Sequence, residues 1–214
     1  MHGDRVLFID GEALVIDKPA GLPVDRPRDG SISLENHLES LKFGFKRWPH
    51  AVHRLDRDTS GCLLLSRNPK AHARLQQAFE TGLVEKRYLA VLAGIVEGEG
   101  MIDLPLAKVS TRETGWRMVA DPAGKAARTG WRALRHADGR TLVEFRPETG
   151  RTHQIRVHAA TGLGAAVVGD QVYGAGEAGG MLLHAASLTV PRGETKDPII
   201  AEAPIPDRFG AFRD

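Results

Sequence analysis

Beyond Gly82 the chain breaks into short apolar runs, and this rhythm limits the possible folds more than any other property of the sequence. "KRYLAVLAG", "MIDLPL", "WRMVA", "AARTGWRAL", "TLVEFRP" and, later, "LLHAASLTV" are each of strand length, and most are separated by Gly, Pro or Asp-Gly turns. Helices are too few to alternate with these strands as a doubly wound α/β fold requires. The expected class is α+β, with a large mixed, mainly antiparallel sheet flanked by helices and loops.

Upstream, "VLFI" and "LVID" predict two strands around the turn "DGEA", and "KPAGLPVD" a Pro/Gly loop. Ser33 stands where it would cap a short helix with Leu34, Leu38 and Leu41 on one face, and Cys62 to Ser66 reads as a buried strand. The best-marked helix runs from Pro69 to Gly82. Asn68 is a capping residue, proline fills the first helical position, Leu75, Ala78 and Phe79 share a face, and glycine stops it. Within "ETGRTHQIRVHAA", Thr152 is expected to cap a helix holding Ile155, Val157 and Ala159.

With 214 residues, 42% hydrophobic and 26% charged, the chain can bury a core and is expected to form one domain over residues 1–214. No stretch approaches the roughly 20 apolar residues of a membrane span, so the expected location is cytoplasmic, without a membrane partner. The single cysteine, Cys62, excludes an internal disulfide, and its setting in "CLLL" predicts a small buried hydrophobe. Nine histidines offer close pairs at His50/His53 and His153/His158, but neither has the HExxH arrangement, and no metal or other cofactor is expected.

The net charge of +2 is unevenly spread. Lys42 to Arg57 holds five bases against Asp56, and Lys108 to Arg135 seven against Glu113 and Asp121, whereas Glu194 to Asp214 has five acids and three bases. Two basic segments could converge on a polyanion, or could be solvated faces. The densest stretch is "HRLDRDTSG", His53 to Gly61, in which Asp56 lies between arginines. Its glycine follows Asp58 by three places, which departs from the aspartic-protease loop, and "HRLD" lacks the downstream asparagine of a kinase catalytic loop.

"HRLDRDTSG", "KRYLAVLAG" and "ETGRTHQIRVH" resemble, in order and separation, the three motifs of the RluA family of RNA pseudouridine synthases. "VIDKPAGLPV", "VVGDQVYG" and "LLHAASL" match further landmarks of that family, so the resemblance covers nearly the whole chain. It implies the pseudouridine synthase fold and the isomerisation of uridine to pseudouridine in structured rRNA or tRNA, with no cofactor. It implies Asp56 as the catalytic carboxylate, Arg156 as the cation that keeps it ionised, and Tyr88 as the ring that packs on the target base. Arg54 would contact RNA beside the flipped nucleotide, and Ile155 would close the apolar side of the base pocket. Arg57, Arg151, His153 and His158 would each contact the RNA or support the site from behind. Asp58 is expected to serve the turn, and Gly61 and Gly150 to permit tight turns or close backbone approach.

The resemblance leaves three departures. No S4-like RNA-binding domain is expected ahead of the catalytic region, "TVPRGETKDP" lacks a His-Pro found in relatives, and Cys62 stands where leucine is usual. Recognition is then expected to rest on the catalytic domain alone, acting as a monomer without an obligate protein partner. Two other functions are compatible with such a chain. A catalytically silent RNA-binding or RNA-remodelling protein would not need an acid in a basic groove, and a glycosidic hydrolase would need a second carboxylate, for which Asp58 is the only obvious neighbour.

Overall fold

The computed structural model describes residues 5–113 and 115–213. In chain order its elements begin with strands β1 (Val6–Ile9) and β2 (Ala13–Lys18), a 3-10 helix (Leu34–Leu41), β3 (His50–Ala51), β4 (Ser60–Ser66), helix α1 (Pro69–Glu80) and β5 (Glu85–Leu92). Then come β6 (Glu99–Asp103), β7 (Leu106–Thr111), β8 (Gly115–Ala120), β9 (Arg128–Ala137), β10 (Arg140–Pro147) and α2 (Gln154–Val157). A π-helical turn (His158–Gly162), β11 (Leu183–Val190), β12 (Ile199–Glu202) and a 3-10 helix (Asp207–Phe212) complete it. The α+β class read from the sequence is what the structure has. Among the described residues no helix is long and apolar enough to cross a membrane.

Two compact units divide the chain, Met1–Lys86 with Ala185–Pro204, and Arg87–His184 with Ile205–Asp214. In the first, β2 pairs antiparallel with β1 and β4, β3 lines up on β4, and β12 on β11. All seven residues of β4 are buried, which is why "CLLL" carries no polar alternation. Val15, Cys62 and Leu64 pack with Leu75 and Ala78 of α1 and with Leu188, Val190 and Ile199. Helix α1 has both ends that its sequence marks: the Asn68 side chain accepts the Ala71 amide at 2.8 Å, and Gly82 takes φ 73°.

In the second unit β5, β10, β9 and β6 run antiparallel in that order, and β7 and β8 form a separate hairpin. Its core joins Ala90, Leu92, Val143 and Phe145 to Ile155 and Ala159. "MIDLPL" is not one strand. Pro105, which has no amide to donate, separates β6 from β7, and the second half turns away into the hairpin. Strand β12 was not apparent from the sequence pattern.

Thr152 does not cap α2. His153 occupies the N-cap position, in the left-handed region (φ 54°, ψ 18°) and without a side-chain capping hydrogen bond, and the helix is a single turn that widens into the π-helical turn. The side chain of Gln154 reaches back to the segment ahead of the helix, where its Oε1 accepts both the Arg151 amide at 2.9 Å and the Thr149 hydroxyl at 2.8 Å. Thr152 is exposed and stands one residue ahead of the N-cap position, so the helix begins one residue too late for its hydroxyl to cap.

Candidate active site

The loop that carries Asp56 is anchored from below. Lys18 is fully buried at the end of β2, and its ammonium donates to the carbonyls of Pro19 (2.9 Å), Leu22 (2.8 Å) and Arg57 (3.0 Å). Burying an ammonium is costly unless its donors are met, and these carbonyls tie the "KPAG" loop to the backbone one residue past Asp56. His53 pins the other side: its Nε2 accepts the Leu64 amide of β4 at 3.1 Å, and its ring stacks on Phe79 at 4.6 Å. Burial, with the nearby Lys86 ammonium, pushes the imidazole down to about 4, so at neutral pH it is the uncharged acceptor this hydrogen bond needs. Gly61 follows with φ 106°, and a side chain there would run into the Ala185 carbonyl, which bears out the expected close approach.

Asp56 itself is half-buried. The arginines that flank it in sequence are exposed. Arg54, 76% exposed, pairs with Asp25 at 2.8 Å. Arg57, 60% exposed, meets both oxygens of Asp58 at 3.0 Å, so the Asp58 carboxylate orients an arginine as well as standing in the turn.

In the second unit, Tyr88 lies opposite Phe145 across the β5–β10 ladder and packs against the apolar cluster to which Phe145 and Ile155 both belong. Arg156 is buried and forms a two-pronged pair with Asp170, Nε to Oδ2 at 2.7 Å and Nη2 to Oδ1 at 2.8 Å. Asp170 also accepts the amides of Val172 (2.8 Å) and Tyr173 (3.1 Å). Burial raises its carboxyl, but the Arg156 guanidinium and these amides outweigh it and hold Asp170 below the ordinary range. Gly169 makes the turn possible, with φ 77° and no room for a side chain against the Gly180 carbonyl. The Arg156 guanidinium lies 5.1 Å from the centre of the Tyr173 ring.

Asp170 and Lys18 are the residues that motif reading missed. Both lie in stretches already singled out, "VVGDQVYG" and "VIDKPAGLPV". The usable signal was a charged residue inside an apolar strand or beside a glycine, which must be paired if buried.

The remaining candidates divide by burial. Arg151 is exposed and donates from Nε to the Ala126 carbonyl at 3.0 Å. His153 shares a hydrogen bond with the Tyr173 hydroxyl at 2.9 Å. His158 is fully buried between Thr129 (2.9 Å) and the Leu104 carbonyl (3.0 Å), so it supports the fold and cannot touch RNA. Gly150 has neither a positive φ nor a neighbour that a Cβ would strike, so the conformational need expected there is absent. The basic segments are partly neutralised: Lys42 pairs with Glu39 at 2.9 Å, and Arg128 with Glu148 at 3.2 Å and Asp103 at 3.4 Å.

Residues 12–161 match the family model described as RNA pseudouridylate synthase. An uncharacterized RNA pseudouridine synthase of Zymomonas mobilis is 63% identical over 209 residues, covering 96% of this chain and 95% of that protein. The ribosomal large subunit pseudouridine synthase D of Nitrosomonas europaea is 35% identical over 97% of this chain, which spans 64% of that protein's length. Among solved structures, human RNA pseudouridylate synthase domain containing 4 superposes with a TM-score of 0.80 at 26% identity, covering 96% of this chain and 90% of that one.

Proposed function

Because the chain belongs to the RluA family of RNA pseudouridine synthases, isomerases that convert uridine to pseudouridine, we propose that it modifies specific uridines of structured ribosomal or transfer RNA with Asp56 as its catalytic carboxylate. The observation that carries the reading is the family match over residues 12–161, which contains all three motifs.

In this reading the target uridine leaves its stack, Tyr88 packs on the base and Ile155 closes the apolar side. Asp56 acts at the ribose or the base while the glycosidic bond breaks, and Arg156 keeps that carboxylate ionised. Arg54, Arg57, Arg151 and His153 meet the RNA around it. The anchoring of the Asp56 loop by Lys18 and His53 supports the assignment, since a reacting carboxylate has to be held in place by its own backbone. The isomerisation is redox-neutral and needs no cofactor, so turnover is expected to survive EDTA once the RNA is refolded without divalent ions.

Mapping pseudouridine in total RNA from cells with and without the gene tests the reading. One or a few sites are expected to vanish, to return with the wild-type gene, and to stay absent with Asp56→Asn. Single-turnover conversion by purified Asp56→Asn is expected to fall by at least about 10²–10⁴-fold, with thermal unfolding and RNA affinity retained. An active Asp56→Asn would overturn the catalytic assignment.

A further inference from the structure

The β7–β8 hairpin carries Trp116 at its distal end, paired with Ser110 across the ladder. Its indole is 49% exposed although it stacks on His153, ring centres 5.2 Å apart and planes 27° from parallel. Scattered exposed apolar residues need no explanation by themselves. Here the surroundings differ. The Lys108 ammonium sits 5.0 Å from the indole centre, and Arg112 is exposed near the tip of the hairpin, whose one acid in sequence is Glu113. His153, beneath the indole, is a non-glycine residue in the left-handed region, a conformation that costs energy and concentrates at functional sites. From it a chain of contacts leads inward: His153 Nδ1 to the Tyr173 hydroxyl at 2.9 Å, that hydroxyl accepting the Met118 amide at 3.0 Å, and the Tyr173 ring beside the Arg156 guanidinium. A half-bare indole, an adjacent ammonium and a rigid histidine backing form the kind of platform on which nucleobases stack without regard to sequence.

We propose that Trp116 is a stacking platform for an unpaired nucleobase of the substrate RNA, outside the pocket of the target uridine, with Lys108 meeting the phosphate next to that base. The inference rests on the pseudouridine synthase reading, and it makes a single-stranded flank part of what the protein recognises. A protein partner for the same ring is the competing occupant, and RNA is favoured by the positive charge around it.

Binding of the full-length protein to a short oligouridylate and to an RNA duplex of equal length decides it. Trp116→Ala is expected to weaken oligouridylate binding about 5- to 150-fold at fixed salt, the loss of one stacked base, while Trp116→Phe recovers most of the affinity. Duplex binding and thermal unfolding stay as in wild type. Removing an uncharged ring leaves the slope of log affinity against log salt unchanged, whereas Lys108→Ala flattens it by about 0.7. Wild-type affinity in Trp116→Ala, or equal loss on single strand and duplex, overturns the platform. Pseudouridine formation by the wild-type protein is measured alongside. Its absence from every RNA would overturn the family activity, whereas an active wild type with an unimpaired Trp116→Ala would overturn the platform alone.

Discussion

Two regions of this chain use arginine and aspartate in opposite ways. Around "HRLDRDTSG" the pairs are in solvent, Arg54 with Asp25 and Arg57 with Asp58, with side chains between 41% and 76% exposed. Around "HQIR" and "GDQVYG" the pair is inside, Arg156 at 8% and Asp170 at 0%. An exposed pair is worth about 0–1 kcal/mol and exchanges partners readily, so the first set can turn to phosphate. A buried pair that loses one member strands a charge at a cost of about 3–5 kcal/mol, so the second set holds one geometry. Arginines meant to move and arginines meant to stay are told apart by burial, not by motif.

The largest test of that contrast is Asp170→Asn. It removes the carboxylate that holds Arg156 and is expected to cost about 3–5 kcal/mol in denaturant unfolding. A loss under 1 kcal/mol would place this pair with the surface ones. A second test concerns His53, which makes the solvent-side loop less mobile than its arginines. The unfolded ring takes a proton near its ordinary value and the folded ring only near 4. Its contribution is therefore intact above about pH 6.5 and lost as pH falls toward 4, by up to about 3 kcal/mol. Urea unfolding across that window is expected to show the decline, and His53→Gln to reduce it. An equally steep decline in His53→Gln would assign it to other groups, and the loop would lose its inner anchor in this account.

The smallest expected effect is on stability in Arg54→Ala and Arg57→Ala, within about 1 kcal/mol of wild type. Each is nonetheless expected to flatten the salt dependence of RNA binding by about 0.7 if it neutralises one phosphate on a single strand. A flat stability response with an unchanged salt slope would leave the outer pairs as ordinary surface contacts.

Local chemistry made much of this architecture legible before the structure. Helix α1 is readable because Asn68, Pro69 and Gly82 act on their own backbone, and β4 because seven consecutive residues without strong polarity have few alternatives. What escaped depends on partners distant in sequence or on competition between neighbours. Nothing local says that the carboxylate fourteen residues beyond Arg156 returns to it, and periodicity cannot choose Gln154 over Thr152 as the side chain that meets a free amide. "MIDLPL" misled because its apolar pattern continues through a proline whose geometry ends the ladder. The candidate site residues were chosen as motif positions, and the outward or inward setting of each arginine was not legible there.

Cys62 has a practical consequence. It is the chain's one cysteine, buried in β4 with its thiol pushed up to about 12 by burial and by the nearby Asp17 carboxylate. Thiolate is the form that reacts, so maleimides and mild oxidants have almost nothing to attack in the folded protein. A cysteine introduced at exposed Arg112 would then take a fluorophore alone, with the native residue left in place. The hairpin's motion against RNA could be followed from a dye at its tip, in a protein whose own sulfur chemistry is silent.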